Sequence, residues 1–350
     1  MEATKEKRVG LAAMAYLVIV LAGVKIATPI IVPFLLSLFL VIITKPFYDA
    51  LHAKGMPTWL VFTIILGVIF LFNFLLVLII SSSVNAFTNN MDFYNQKLQL
   101  YGNEISDLAK KMGLKNDESL KNLLNPEKIM GFVSGTLSSF SDILSNIILI
   151  LLTVVFIFIE TKILPGKIKA IARNKENIHY FNVINHQINQ YMMIHTYVSL
   201  ATGIIIGGLL AAIRLDFAVL WGLIAFLLNY IPNIGSLIAA IPPIILALVQ
   251  FGVGGALGVA AIFLAVNFLI GNYIEPKLLG KGLGLSVLVV FLSLIFWGWL
   301  LGPVGMFLSI PITLVFKIIL GINPDTRWIA VLLGDGTEEM NDIGEIPEGT

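Results

Sequence analysis

The chain is 350 residues long, 58% hydrophobic and 12% charged, with a formal net charge of +1. Soluble domains carry about 25% charged residues, so this composition points to a membrane protein. The near-neutral balance argues against a nucleic-acid partner. The absence of cysteine excludes disulfides, thiol catalysis and Cys-ligated metals.

In chain order, a basic start (Lys5, Lys7, Arg8) leads into an apolar run, Val9–Thr28, with no small-residue cleavage site after it. This predicts a retained first helix rather than a removed signal peptide. Ile30–Ile43 follows through Pro29 and Pro33, short for a span and suited to pair with the first as a hairpin. Lys45–Pro57 reads as a polar turn, and Trp59–Ile80 as a clear span. Phe87–Asp142 is the one long polar stretch. Ile143–Ile159 and Met192–Ile213 are spans separated by the basic stretch Lys162–Lys175. Phe217–Tyr230, Ser236–Phe251 and Gly255–Ile270 come next, then a polar break at Asn272–Lys281, the pair Leu285–Leu301 and Pro303–Leu320, and a polar tail. The expected fold is an all-α, polytopic integral membrane protein with broken helices, re-entrant hairpins and an external helical segment. Its regions are 1–81 (N-terminal helices), 82–142 (external), 143–213 (helices with a basic connection), 214–320 (transport core) and 321–350 (tail).

Basic residues in short loops mark the cytoplasmic side. Placing the N-tail, the Lys54 turn, Lys162–Lys175, the Lys277/Lys281 turn and the C-tail inside gives a consistent weave. Both termini are then cytoplasmic and Phe87–Asp142 lies outside. In that segment Phe87, Met91, Tyr94, Leu98, Tyr101, Ile105, Leu108 and Met112 alternate steps of four and three, a heptad-type seam. The seam suits either a helix folded onto its own chain or a contact between protomers.

Enzyme motifs are absent: there is no phosphate loop, nucleophile elbow or metal-spaced histidine pair. The chain is read as no enzyme, with no cofactor and no metal. The informative stretch is "FLLNYIPNIGSLIAAIPP" (226–243), inside a run from Phe217 to Ile274 that lacks every charged residue and histidine. Pro232 cannot donate to a helix ladder and disfavours helix at Ile231. Gly235 admits backbone that other residues resist. Asn229 and Asn233 bring amides that are costly to leave unpaired in lipid. Irregular backbone at membrane depth survives only inside protein or beside a wet cavity, and broken helices form the sites of many secondary transporters. The bland reading is a surface turn with Tyr230 as an interfacial anchor.

A second stretch, "NYIEPKLLGKGLGLS" (272–286), repeats Asn-Tyr-Ile with a proline close behind. Its Glu275 suits a bound cation, a carried proton or a substrate hydrogen bond, since a carboxylate at mid-membrane costs about 2.5–3.5 kcal/mol. A salt bridge to Lys277 or Lys281 is the equal alternative. Gly203, Gly207, Gly208, Gly282 and Gly284 suit close helix packing, and Trp297 and Trp299 suit packing or the interface.

Three stretches carry a likeness: "LLTVVFIFIE" with "LPGK" (151–160, 164–167), "VLWGLIAFLLNYIPNIGSLIAAIPPI" (219–244) and "EPKLLGKGLGLSVLVVFLSLIFWGWLLGPVGMFLSIP" (275–311). Through them the chain resembles the autoinducer-2 exporter family of bacterial inner-membrane transporters. The resemblance implies a homo-oligomeric carrier that exports a small furanone or polyol signal in quorum sensing; some members are assigned sodium (or lithium)/proton antiport. The candidate path is Asn229, Tyr230, Pro232, Asn233, Gly235, Asn272, Glu275 and Ser286, with a proton or sodium as possible coupling ion and membrane lipid as surroundings. A non-transporting scaffold is the third reading; it has no use for the helix breaks.

Overall fold

A computed structural model describes residues 15–16, 18–94, 96–97, 99–100, 131, 135, 147–171, 175–232, 234–279, 284–322 and 325–336. Among these the backbone is helical, with no strand. The main helices are α1 Thr28–Ala53, α2 Thr58–Asn89, α3 Ile147–Ile171, α4 Lys175–Ala212, α5 Ala218–Leu228, α6 Ile234–Leu269, α7 Val287–Leu301, α8 Pro303–Phe307, α9 Ser309–Ile322 and α10 Arg327–Leu333. Thr28–Ala53, Thr58–Asn89, Ile188–Ala212 and Ile234–Leu278 are each long and apolar enough to cross a membrane. The protein is an all-α, polytopic helical membrane protein.

Two elements differ from the sequence reading. The predicted short piece Ile30–Ile43 is the middle of α1, which runs on through Lys45 and Pro46 to Ala53. Pro29 sits in the first turn, where a missing N–H costs nothing. Pro33 lies one turn further in, and the Ser37 hydroxyl donates to its carbonyl at 2.7 Å. The predicted polar break at Asn272–Lys281 is also no break as far as Leu279. After α6 the backbone widens into a π-helix over Ile270–Ile274 and returns to α-helix over Glu275–Leu279.

The chain forms two compact units, one from Met1–Pro46, Leu149–Met192 and Lys281–Thr350, the other from Phe47–Ile148 and Met193–Gly280. In the first, fully buried Ser37 also donates to the Ile150 carbonyl at 3.0 Å, joining α1 to α3. Phe39 meets Phe307 edge to face at 4.6 Å. Gly302 turns the chain between α7 and α8 with φ 72°, and Pro303 opens α8. Gly252 within Ile234–Leu269, at φ 79° and ψ −168°, and this α7–α8 hairpin are the further sharp breaks in the apolar chain; Asn272 is not one. Trp297 packs here, donating to the Thr313 hydroxyl at 3.0 Å, whereas Trp299 is exposed beside Lys25. Gly284 lies in a turn at φ 63°; Gly282 lies outside the described residues.

The second unit is built on α2, the C-terminal part of α4, α5 and α6, with Trp221, Leu210, Leu246 and Phe263 buried at its core. A tight turn, 213–217, joins α4 to α5. Arg214 and Phe217 are left-handed there, at φ 60° and 58°, a conformation that costs about 1 kcal/mol or more for each such residue. Gln250 of α6 holds the turn from both sides, donating to the Arg214 carbonyl at 3.0 Å and accepting from the Asp216 N–H at 3.1 Å. The Tyr94 hydroxyl donates to the Asp216 carboxylate at 3.1 Å. Burial first, and then the Asp216 charge, hold the Tyr94 phenol above its ordinary value, so it stays the donor. These bonds bring the end of α2, the α4–α5 turn and Gln250 together at one end of the unit.

The first positions of the predicted seam are used within the unit. Phe87 and Tyr94 are buried and stack on each other at 5.5 Å, Phe87 meets Phe217 at 6.4 Å, and Met91 packs against the same core. Leu98, Tyr101, Ile105, Leu108 and Met112 lie outside the described residues.

Helices α4 and α5 cross at contact distance. A methyl on Gly222 would stand 2.7 Å from the Gly203 carbonyl and 2.8 Å from the Gly207 Cα, while Gly208 faces open space. Lipid supplies no hydrophobic drive between helices, so such backbone contact is what holds them together. Gly222→Ala is expected to destabilise the protein by about 1–3 kcal/mol through overpacking, and Gly208→Ala to leave stability unchanged. Unfolding midpoints in mixed detergent micelles check this.

Candidate functional site

The break at Leu228–Gly235 ends a short helix. Helix α5 has 11 residues, about 16 Å at 1.5 Å per residue, against a hydrocarbon core of about 30 Å. Its other end is the charged 214–216 turn, which belongs at the surface. Helix α5 alone is therefore too short to cross a membrane. The sequence stops the helix where Pro232 withholds an N–H. The ladder ends with Asn229 N–H on Ala225 (3.0 Å), Ile231 N–H on Leu228 (2.8 Å) and Gly235 N–H on Ile231 (3.0 Å). A methyl on Gly235 would sit 1.7 Å from the Leu228 carbonyl oxygen, so the turn is closed by a residue without one.

One face of α4 meets the polar side chains of the break. The Asn229 amide donates to the Ser199 hydroxyl at 2.9 Å, and the Tyr230 hydroxyl donates to the Thr196 hydroxyl at 2.8 Å. Ser199 is fully buried and Tyr230 nearly so. The Tyr230 ring lies edge-on between Phe226 (5.7 Å) and His195 (5.6 Å). His195 Nδ1 stands 3.2 Å from a Glu275 carboxylate oxygen. A line of three polar pairs, Asn229 with Ser199, Tyr230 with Thr196 and His195 with Glu275, thus stands along this part of α4.

This arrangement joins Asn229, Tyr230, Pro232, Gly235 and Glu275 from the sequence-derived set and separates the others. Asn272 is exposed, and its amide donates to the Phe268 carbonyl of its own helix at 3.1 Å. Ser286 belongs to the other compact unit, where it caps α7 by accepting from the Val289 N–H at 3.5 Å. Asn233 and Lys281 lie outside the described residues. The partner of Glu275 is His195; Lys277, two residues along, is exposed, and side chains two apart on a helix face different ways.

Sequence reasoning passed over His195, Thr196 and Ser199. A signal was present: His195 is an ionisable side chain within the span Met192–Ile213, and such a residue is a functional candidate by default. Thr196 and Ser199, three apart, share a helix face with it. The π-helix marks the same place from the backbone side. Pro276 supplies no N–H, and the Glu275 N–H donates to Ile270, five residues back. Widened turns of this kind absorb a misfit residue and recur at functional sites. Among the described residues, no cluster of three or more His, Asp or Glu could hold a metal ion.

The profile of AI-2E family transporters matches residues 14–324. The chain belongs to the AI-2E transporter family. The AI-2 transport protein TqsA of Escherichia coli K12 is 40% identical over 328 residues, covering 93% of this chain and 95% of the relative. A Haemophilus influenzae protein, described as an inferred transport protein with no substrate given, is 43% identical over 331 residues, covering 92% and 95%. YhhT of E. coli K12, described in the same terms, is 36% identical over 328 residues, covering 92% and 93%. These relatives support a transport role in a membrane for this AI-2E family member.

The Asn229–Ser199 bond is open to direct measurement. Asn229→Ala and Ser199→Ala should each destabilise the protein, and a double-mutant cycle should give a coupling of about 0.6 kcal/mol and at most about 1.7, the mean and maximum for hydrogen bonds between membrane helices. A coupling of zero would mean that the two side chains do not hold the break against α4.

Proposed function

We propose that this AI-2E transporter exports autoinducer-2, a small polyhydroxylated furanone, across the bacterial inner membrane. The observation that carries the reading is 40% identity along nearly the whole chain to a protein named for AI-2 transport. The chemistry of the break supports it. Amide and hydroxyl groups at Asn229, Ser199, Thr196 and Tyr230 exchange hydrogen bonds with one another, and a polyol presents the same kind of donors and acceptors. Asn233 and the backbone around Pro232 complete the proposed path, and Gly235 lets the turn beside it close.

The pairing of Glu275 with His195 favours one other reading, sodium (or lithium)/proton antiport, because a carboxylate beside an imidazole suits a charged cargo. Flux by purified protein in liposomes decides between them, with autoinducer-2 and sodium compared under imposed gradients. Export predicts saturable autoinducer-2 flux, reduced about tenfold by Asn233→Ala with protein level and assembly unchanged; tenfold is about 1.4 kcal/mol, the scale of one hydrogen bond. Sodium flux without autoinducer-2 flux would establish the antiporter instead.

The orientation belongs to the same proposal: both termini cytoplasmic, residues 82–142 outside, and protomers assembled as a homo-oligomer. Single cysteines at Asn103 and Thr337 report this cleanly, since the chain has no cysteine of its own. Position 103 should react with an impermeant thiol reagent in intact cells, and position 337 only after the membrane is opened.

A further inference from the structure

We propose that His195 and Glu275 form the proton-binding site that couples transport to a proton gradient, acting on the break through Tyr230. The proposal rests on the transport reading above and adds to it the identity of the driving ion and its carrier. Three observations meet at this point. His195 Nδ1 and a Glu275 oxygen are 3.2 Å apart, with side-chain exposures of 4% and 26%. One partner is closed off from its surroundings and the other opens onto them, as a site that takes up and passes on a proton requires. The Tyr230 ring lies 5.6 Å from the imidazole, and its hydroxyl is fixed to Thr196, the residue after His195, at 2.8 Å. Finally, Glu275 sits directly after the π-helix, where the helix ladder has already been shifted.

The charge balance is simple. With a neutral imidazole beside the carboxylate, the pair carries one negative charge. One added proton makes it an imidazolium–carboxylate pair of zero net charge. Imidazole is the side chain that ordinarily changes charge near neutral pH, and a net charge within the span is costly. Protonation therefore favours the pair closed and buried, and deprotonation favours Glu275 turned to the water.

Among the described residues of the unit, little else competes for this role. Helices α2, α5 and Ile234–Leu269 carry no acidic, basic or histidine side chain. Tyr230 is the titratable group facing His195 from the break. On the pair's own helices Tyr197, Tyr273 and Lys277 are exposed, and Tyr191 is buried one turn before His195. Arg214, Asp216 and Tyr94 are engaged at the far end of α4. Asp49 and His52 lie in the last turns of α1, and Lys54 in the α1–α2 connection. Export against an inward proton gradient then makes the exchange an antiport: one proton enters as the signal molecule leaves.

The test uses the full-length protein in liposomes with two readouts, autoinducer-2 flux and an internal pH dye. For one coupled proton, a gradient of one pH unit drives about tenfold accumulation of autoinducer-2, the equivalent of about 1.4 kcal/mol. His195→Asn and Glu275→Gln should abolish this accumulation and the proton movement that accompanies autoinducer-2, and Glu275→Asp should restore part of both. Gel filtration confirms that each variant is assembled; if Glu275→Gln is not, His195→Asn decides. Accumulation by the variants equal to the parental protein overturns the proposal, as does parental flux that ignores the pH gradient, and in both cases export stands. Proton-for-sodium exchange that needs His195, with no autoinducer-2 flux, overturns export and keeps the proton site. No flux of either kind overturns both.

Discussion

The constraint on which everything else depends is that a polar backbone group has no water to turn to inside a bilayer. Each unmet N–H or carbonyl costs several kcal/mol, so a chain that interrupts its helices at depth must supply partners from neighbouring segments. Here those partners come from α4. Its Thr196 and Ser199 hydroxyls receive Tyr230 and Asn229, and the glycine contact further along lets its backbone lie against that of α5. The close crossing and the polar contacts are two parts of one arrangement. Without the small residues α5 would stand too far off for a serine hydroxyl to reach the amide.

Much of this was legible in the residues. The charge-free windows located the spans, and Pro232 with Gly235 located the break, because both act through local backbone chemistry that holds in any surroundings. The pairing of Asn229 with Ser199 was not legible, since a thirty-residue separation in sequence says nothing of contact. Glu275 was recognised as unusual, but its partner was sought among nearby lysines. The histidine that meets it lies eighty residues earlier, and only the packing of α4 against the end of the long helix brings them together. Asn272 misled for the opposite reason. A repeated tripeptide and a proline imitate a break, whereas a π-turn absorbs Pro276 with the backbone still helical.

The seam after α2 shows how a periodic apolar stripe acquires its meaning from its surroundings. Phe87 and Tyr94 have the spacing of an association helix, and they are spent on the chain's own core, against Phe217 and Asp216. The same two residues brace a turn in which Arg214 and Phe217 are both left-handed. Backbone strain of this kind persists only where the environment over-determines it, and Gln250, Trp221 and Tyr94 together do so.

The backbone of the long segment from Ile234 is not one rod but two. Gly252, at φ 79° and ψ −168°, separates the part that rises from the break from the part that ends at Glu275. The first arm is about 27 Å long and the second about 34 Å, at 1.5 Å per residue. A rotation of 5° at that one residue, with Gln250 holding the turn beside it, swings the tip of the longer arm by about 3 Å. That equals the whole distance between Glu275 and His195. The polar line across the unit is therefore hinged at a fulcrum far from either of its ends, and its most sensitive joint is a residue with no side chain.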